Sequence, residues 1–494
     1  MTQVRTVMAA VLASGIVAAG SVRADHDDRR PRDVARAAAP AGAIKHVMVI
    51  DLENEDFAVT FGASSPAVYL NSVLLSQGQL VTNYFATSHV SLGNYISQVS
   101  GQGPTVAVNN DCLNLASLTH PPVVGGFTDI LPGTDAVDQD THPGQVVGDG
   151  CVYPAPGHGT HGAMTIGDQL DGLHREGDSD DEDDDDHGRN GRLAWRGYAE
   201  DMGDVPSRDY GTPDPLGGTD CAHPIIGGVD NSNSAAANDQ YATRHNPFVY
   251  FHSVIDDPAR CNAHVVPLGK LTIGRNNAPD QFQGHLYEDL SRIETTPQFM
   301  FVTPNLCNDG HDAVCVGPNV EGTKDASGRN AGGLVAADLW LKHWMPMILS
   351  SPAYGSGRLL VVLTFDESGL RDARACGKPS QADCDAPIGP NLTNFGFSSV
   401  LALFGLQTMP TGPNIYPGGG QIGAVLFNAR SIRPGTVNTT GYYNHFSALR
   451  SYEDLLGIVH GGDDGYGHLG FAARPNLKPF GLDVFNRRPN DVHD

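Results

Sequence analysis

Lys45-His-Val-Met-Val-Ile-Asp-Leu-Glu-Asn-Glu-Asp-Phe57 joins an apolar run of strand character to four acidic or amide side chains within five residues. A short uninterrupted apolar run of this kind suits a strand buried on both faces, as in parallel sheets. The polar cluster at its carboxyl end falls where open α/β sheets place their ligands. A solvated acidic turn would have the same composition, so the segment is weighed with the rest of the chain. Four further runs share its character: Phe248 to Phe251, Phe299 to Val302, Leu359 to Phe365 and Val400 to Phe404. Helical patterns lie between some of them, notably Leu334 to Leu349 and Phe446 to Ile458. Strands alternating with helices predict an α/β fold, with a mostly parallel central sheet sandwiched by helices.

The N-terminal residues read as a secretory signal over 1–24: Arg5, an apolar stretch from Val7 to Ala19, and Val22-Arg23-Ala24 as a small-residue cleavage site. That stretch is shorter than the roughly 20 residues a membrane span needs, so the mature protein is expected to be soluble, in a periplasm or outside the cell. Residues 25–43, charged and then Ala/Pro-rich, suit a flexible leader. Eight cysteines in an exported chain favour disulfides over metal thiolates. Cys307 with Cys315 and Cys376 with Cys384 would close small loops. Cys112 with Cys151 and Cys221 with Cys261 would staple a longer insertion, although eight cysteines allow about 105 pairings. The 56 acidic residues outweigh 31 basic ones for a net charge of -25, which argues against nucleic acid as a partner held by bulk electrostatics. Nine of the eleven residues from Glu176 to Asp186 are acidic. Such a run repels itself, and a disordered loop over about 176–190 is expected, a weak calcium-binding surface being the functional alternative. The stretch of about 103–244 is rich in Gly, Pro, Asp and Asn and reads as a long insertion on the sheet. One domain is expected over 44–486, with 487–494 as a tail.

Four segments carry candidate chemistry besides the first, which offers Glu53 and Asn54. In Ser88-His-Val-Ser-Leu-Gly-Asn-Tyr-Ile-Ser-Gln-Val-Ser-Gly101, Ser91 stands just before a helical stretch, either as a cap or as a nucleophile beside amides that stabilise a phosphate. Pro304-Asn-Leu-Cys-Asn-Asp-Gly-His-Asp312 offers Asp309, His311 and Asp312 as metal ligands, a proton donor or a polar turn. Leu359-Leu-Val-Val-Leu-Thr-Phe-Asp-Glu-Ser368 delivers Asp366 and Glu367 at the end of a strand, where adjacent carboxylates repel unless a cation or proton lies between them. His445 precedes an amphipathic helix in Tyr442-Tyr-Asn-His-Phe-Ser-Ala-Leu-Arg450.

Taken together and in this order, these pieces resemble the bacterial phosphoesterase family that includes acid phosphatases and phospholipases C, a branch of the alkaline phosphatase superfamily. The resemblance covers roughly residues 44–486. It includes His89-Val-Ser-Leu-Gly-Asn-Tyr95, Arg244-His-Asn-Pro-Phe248, Thr364-Phe-Asp-Glu367, Asn444-His-Phe-Ser-Ala-Leu-Arg450 with Glu453 and Asp454, and Leu469-Gly-Phe-Ala472. It implies an alkaline phosphatase-like fold and a phosphate ester substrate attacked by Ser91 to give a phosphoenzyme. By the same resemblance Glu53, Asn54, Asp366 and Glu367 would hold a divalent metal, with Asp309 and Asp312 ligating or orienting. His245, His311 and His445 would bind phosphate oxygens, protonate the leaving group or complete a second metal site, and Asn94 would donate to a phosphate oxygen. Oxygen-rich ligands suit magnesium, calcium or manganese, and histidine recruitment would tilt the choice to zinc.

The chain departs from the family pattern twice. Val90 and Gly93 replace two prolines around Ser91, and Ser368-Gly-Leu-Arg-Asp-Ala-Arg-Ala-Cys376 stands where the phospholipase branch has a Tyr-Asp-His-Val type segment. The second departure favours a phosphomonoesterase over a phospholipase C or other phosphodiesterase. A non-catalytic exported protein binding calcium or another ligand is the alternative from a different class. A serine carboxylesterase and a zinc protease lack their Gly-x-Ser-x-Gly and His-Glu-x-x-His signatures.

Overall fold

β1 (His46–Leu52) is buried at every residue and lies inside an eight-stranded sheet. The structure, a computed structural model, describes residues 44–113, 126–132, 142–157, 162–173, 193–208, 210–275, 278–311, 315–316, 332–369, 390–392 and 418–487. The other strands of the sheet are β2 (Gln79–Val81), β3 (Trp195–Ala199), β4 (Val265–Pro267), β5 (Phe299–Thr303), β6 (Leu359–Phe365), β7 (Ala424–Phe427) and β8 (Thr436–Asn438). Their spatial order is β8-β2-β7-β6-β1-β5-β3-β4. Every pairing is parallel except those that β7 makes with β6 and β2. The mostly parallel α/β architecture expected from the sequence is therefore present. Among the described residues no helix is long and apolar enough to cross a membrane.

The pairing of β1 sets the site. Its residues run from His46 opposite Leu359 to Leu52 opposite Phe365 on β6, and from Val47 opposite Phe299 on β5. Three neighbouring parallel strands thus end together, and whatever follows each one emerges at the same edge. Three helices matter for that edge: α1 (Ser91–Ser100), α2 (Gly333–Leu349) and α3 (His445–Leu456). α1 packs on α3, and α3 also touches β1. Asn444 caps α3 by accepting from the Ser447 amide while the Ser447 hydroxyl answers the Asn444 amide.

Two sequence expectations are corrected. Phe248 to Phe251 is not a strand: Pro247–Tyr250 is a 3₁₀ turn with proline at its first position, where a missing N–H and a fixed φ favour a helical start. The stretch of about 103–244 is not wholly an insertion, because it contributes β3 to the sheet. Arg196 and Gly197 interrupt the apolar run that would have marked that strand. Gly197 is needed because a Cβ there would lie 2.9 Å from the Phe248 ring, which in turn packs 4.5 Å from Trp195.

The pairs Cys112–Cys151, Cys221–Cys261 and Cys307–Cys315 are bonded, as the spacing suggested. Several sequence readings lie outside the described residues: the signal and leader over 1–43, the acidic run, Asp312, Cys376 and Cys384, Val400 to Phe404, and residues 488–494.

Candidate active site

The edge formed by β1, β5 and β6 collects most of the residues singled out in the sequence. Past β1, the Glu53 amide donates to the Asp309 carbonyl at 2.8 Å, which ties it to the turn after β5. The Asp366 amide donates to the Leu52 carbonyl at 2.7 Å, and the Asn54 amide donates to Asp366 Oδ1 at 2.9 Å. Asn54 has φ 39°, a left-handed conformation that asparagine tolerates better than most residues. Turned to satisfy its neighbours, its side chain donates to Glu367 Oε1 (3.0 Å) and Asp366 Oδ1 (3.1 Å) and accepts from His311 Nε2 (3.3 Å). Backbone hydrogen bonds therefore fix Glu53, Asn54, Asp309 and Asp366 to one another before any ligand arrives.

Ser91 is the first residue of α1 and does not cap it. Its hydroxyl donates to Glu53 Oε2 at 3.0 Å, and the Tyr95 hydroxyl, one helical turn on, donates to Glu53 Oε1 at 2.6 Å. His245 stacks on the Tyr95 ring, with centroids 5.3 Å apart. Its Nε2 lies 3.2 Å from Glu53 Oε1 without the alignment of a hydrogen bond, and its Nδ1 lies 3.9 Å from Asp309 Oδ2. Glu367 is paired with His89. His445 donates through Nε2 to the Asp366 carbonyl at 2.7 Å, and its Nδ1 lies 3.4 Å from the Tyr84 hydroxyl, so both ring nitrogens are engaged by the scaffold. His311 is exposed, at the rim. Asn94 faces the loop behind Ser91: its oxygen accepts from the Thr87 and Ser88 amides and its nitrogen donates to the Ser88 carbonyl.

So many buried acids raise one another. Burial, reinforced by Asp309, holds Glu53 well above the usual carboxylate range, with Arg244 working the other way. Burial and the charges of Glu53 and Glu367 do the same to Asp366. Burial raises Glu367 against the lowering effect of His89. Burial lowers His245, helped by Arg244 and His311, and lowers His445 to about 4. Carboxylates forced together out of water take up protons or a cation.

Glu53, His245 and Asp309 offer ligand atoms within 4.8 Å of one another, a donor set of the kind that holds a divalent cation. All three residues are ones the resemblance allows near a metal, His245 as part of a second site, while Glu367, which it also names, is paired with His89. A second trio of the same spacing, Asp214, Asp220 and His285, lies elsewhere. There Arg196 approaches His285 Nδ1 at 3.3 Å and must donate, so Nε2 carries its proton toward Asp214 and presents no lone pair to a metal.

Sequence reading assigned no role to His89, Tyr95, Asp111 or Arg244. Tyr95 was legible in principle, since it lies four residues from Ser91 on the same helix face. Asp111 carries no sequence signal, being placed by a loop fold that nothing local announces.

No protein-family model matches the chain. It is similar to a phosphate-repressible acid phosphatase of Penicillium chrysogenum, 26% identical over 321 residues, covering 64% of this chain and 46% of that one. An acid phosphatase of Aspergillus fumigatus is 22% identical over 296 residues, 60% of this chain and 40% of its own. The chain spans less than half the length of these relatives. Among solved structures, a protein in the alkaline phosphatase superfamily from Vibrio parahaemolyticus aligns over 91% of this chain and 79% of its own, at 10% identity and a TM-score of 0.40, a likeness too slight to carry an argument.

Proposed function

We propose that the chain is an exported phosphoester hydrolase that cleaves phosphate monoesters with Ser91 as nucleophile, on an alkaline phosphatase-like scaffold. The observation that carries this reading is the Ser91 hydroxyl at the start of α1, donating to a buried carboxylate amid further acids and histidines. The similarity to acid phosphatases supports the substrate class. Ser91 Oγ attacks phosphorus as its proton passes to Glu53 Oε2, the P–O bond to the alcohol breaks, and water later hydrolyses the seryl phosphate. Tyr95 holds the other oxygen of Glu53 meanwhile. His311, at the rim beside Asn54, stands where the departing alcohol takes up its proton. His445 acts on the scaffold, linking α3 to the backbone of Asp366. Glu53, His245 and Asp309 would hold a divalent cation, which when bound supplies positive charge against the phosphoryl oxygens and acidifies the nearby hydroxyl.

Hydrolysis of p-nitrophenyl phosphate beside p-nitrophenyl phosphorylcholine tests the assignment. Chelator-sensitive turnover of the monoester, abolished in Ser91→Ala without loss of folding, is the expected result. Preference for the phosphorylcholine diester would move the assignment to phospholipase C, and no turnover of either ester would favour a binding protein.

A further inference from the structure

Two acids that take no part in the reaction described above stand behind the turn that carries Asp309. β3 runs parallel to β5 with Ala199 opposite Thr303, so Glu200 and Asp201 leave the sheet beside Asn305. The Glu200 amide donates to the Thr303 carbonyl at 3.0 Å. The Glu200 carboxylate accepts from the Asn305 amide at 3.0 Å, and each of its oxygens lies 3.1 Å from Asn308 Nδ2. Asp201 Oδ2 accepts from Asn305 Nδ2 at 2.7 Å. Asn305 in turn takes the Cys307 and Asn308 amides on its side-chain oxygen and the Asp309 amide on its carbonyl. Glu200, Asn305 and Asn308 are all buried. Asp201 has φ 60°, a conformation that a residue other than glycine keeps only where its surroundings impose it. Asp201 also reaches the segment leading to His245: its Oδ2 takes the Gln240 amide at 3.3 Å, and the Gln240 carbonyl accepts from the Leu306 amide at 2.9 Å. On the site side of the same turn, the Asp309 carbonyl takes the Glu53 amide at 2.8 Å, and Asp309 Oδ2 lies 3.9 Å from His245 Nδ1. One frame therefore carries Glu53, His245 and Asp309, and Glu200 and Asp201 form its outer side.

We infer that Glu200, with Asp201 beside it, is a positioning residue that fixes the spacing of Asp309 and His245 and so sets the affinity of the trio for a divalent cation. The role rests on the function proposed above, in which that trio holds the cation. Groups that hold a metal ligand from behind commonly change affinity by roughly tenfold or more when removed, because a displaced donor no longer converges with its neighbours. Glu200 touches neither the cation nor the ester. It acts through Asn305 and Asn308, whose bonds decide where the Asp309 carboxylate points.

The test uses the full-length protein, stripped with chelator, as wild type, Glu200→Ala, Glu200→Gln, Asn308→Asp and the double variant Glu200→Gln/Asn308→Asp. Manganese and zinc binding are measured separately by calorimetry, and amide exchange is followed by mass spectrometry. Turnover of p-nitrophenyl phosphate is measured at limiting and at excess cation. Glu200→Ala should weaken cation binding roughly ten- to hundredfold, and excess cation should restore most of the activity. Exchange should quicken at Glu53 and across 304–311, while Val47 to Ile50 in β1 keep their protection. Glu200→Gln sets a donor against donors and Asn308→Asp sets acid against acid, so each alone should weaken binding. Together they exchange donor for acceptor, and most of the affinity should return. Unchanged cation affinity, no recovery in the double variant, or faster exchange throughout β1 overturns the assignment. So does a wild type that hydrolyses the ester and binds neither metal. If Glu200→Ala does not fold, the other three variants decide by the same criteria. A wild type without ester turnover would sink the function proposed above instead, and cation affinity and exchange at Glu53 would still judge Glu200.

Discussion

Glu53 accepts from two hydroxyls on one helix face, and its geometry depends on both. Tyr95→Phe removes one of these bonds and keeps the ring stacked on His245. We expect kcat to fall about tenfold, with a stability loss of about 1.5–3 kcal/mol for the buried hydrogen bond removed. Asn94→Ala should act on stability first. Its amide closes three bonds with residues 87 and 88, so unfolding by urea should show a loss of about 2 kcal/mol, with activity falling only as the loop loosens. The sequence showed both residues in one motif and could not separate them, because what distinguishes them is direction: Tyr95 points along α1 toward Glu53, and Asn94 turns back to its own loop. Glu53 and Asp366 were legible because each follows the end of a recognisable strand, and Ser91 because it opens a helix, whereas the contact of Arg244 with Asp111 has no local sequence signal.

At the scale of elements, α1 and α3 end in ways that can be tested. α1 stops at Gly101 with φ 67°, and a Cβ there would meet the Leu469 carbonyl at 2.2 Å. Gly101→Ala should cost more than the ~1 kcal/mol of conformational strain alone, and denaturant melts should show it. Beyond α3, His468 is gripped by Asp464 (2.6 Å) and Asp454 (3.1 Å). Burial lowers its affinity for a proton, but its bonds to Asp454 and Asp464 more than reverse this and raise its pKa to about 9. An unfolded histidine titrates near 6.5, so the stabilisation is complete below about pH 6.5 and is lost as pH rises through 9. His468→Gln should therefore destabilise by about 3 kcal/mol at pH 6, a difference that shrinks toward pH 10. Strand positions were legible at β1, β5 and β6, and were not marked at the shorter β2, β4, β7 and β8. They failed at β3 and at Pro247–Tyr250, where packing around Phe248 decides the backbone and local composition misleads.

At the scale of the whole molecule, the three disulfides among the described residues tie segments that flank the site. Cys112–Cys151 and Cys221–Cys261 close stretches of 39 and 40 residues. Each closure of that length is worth about 3–4 kcal/mol in the chain-entropy account, so mild reduction should lower the melting temperature well before any denaturant is added.

The bond from His445 to the carbonyl of Asp366 joins one of the last helices of the chain to a strand laid down about eighty residues earlier, at an edge that Glu53 reached first. Timing follows from this. A chain still being made or threaded across a membrane has its serine and first acid long before it has the piece that completes their frame. On the function proposed above, activity should appear late and abruptly, once α3 has docked.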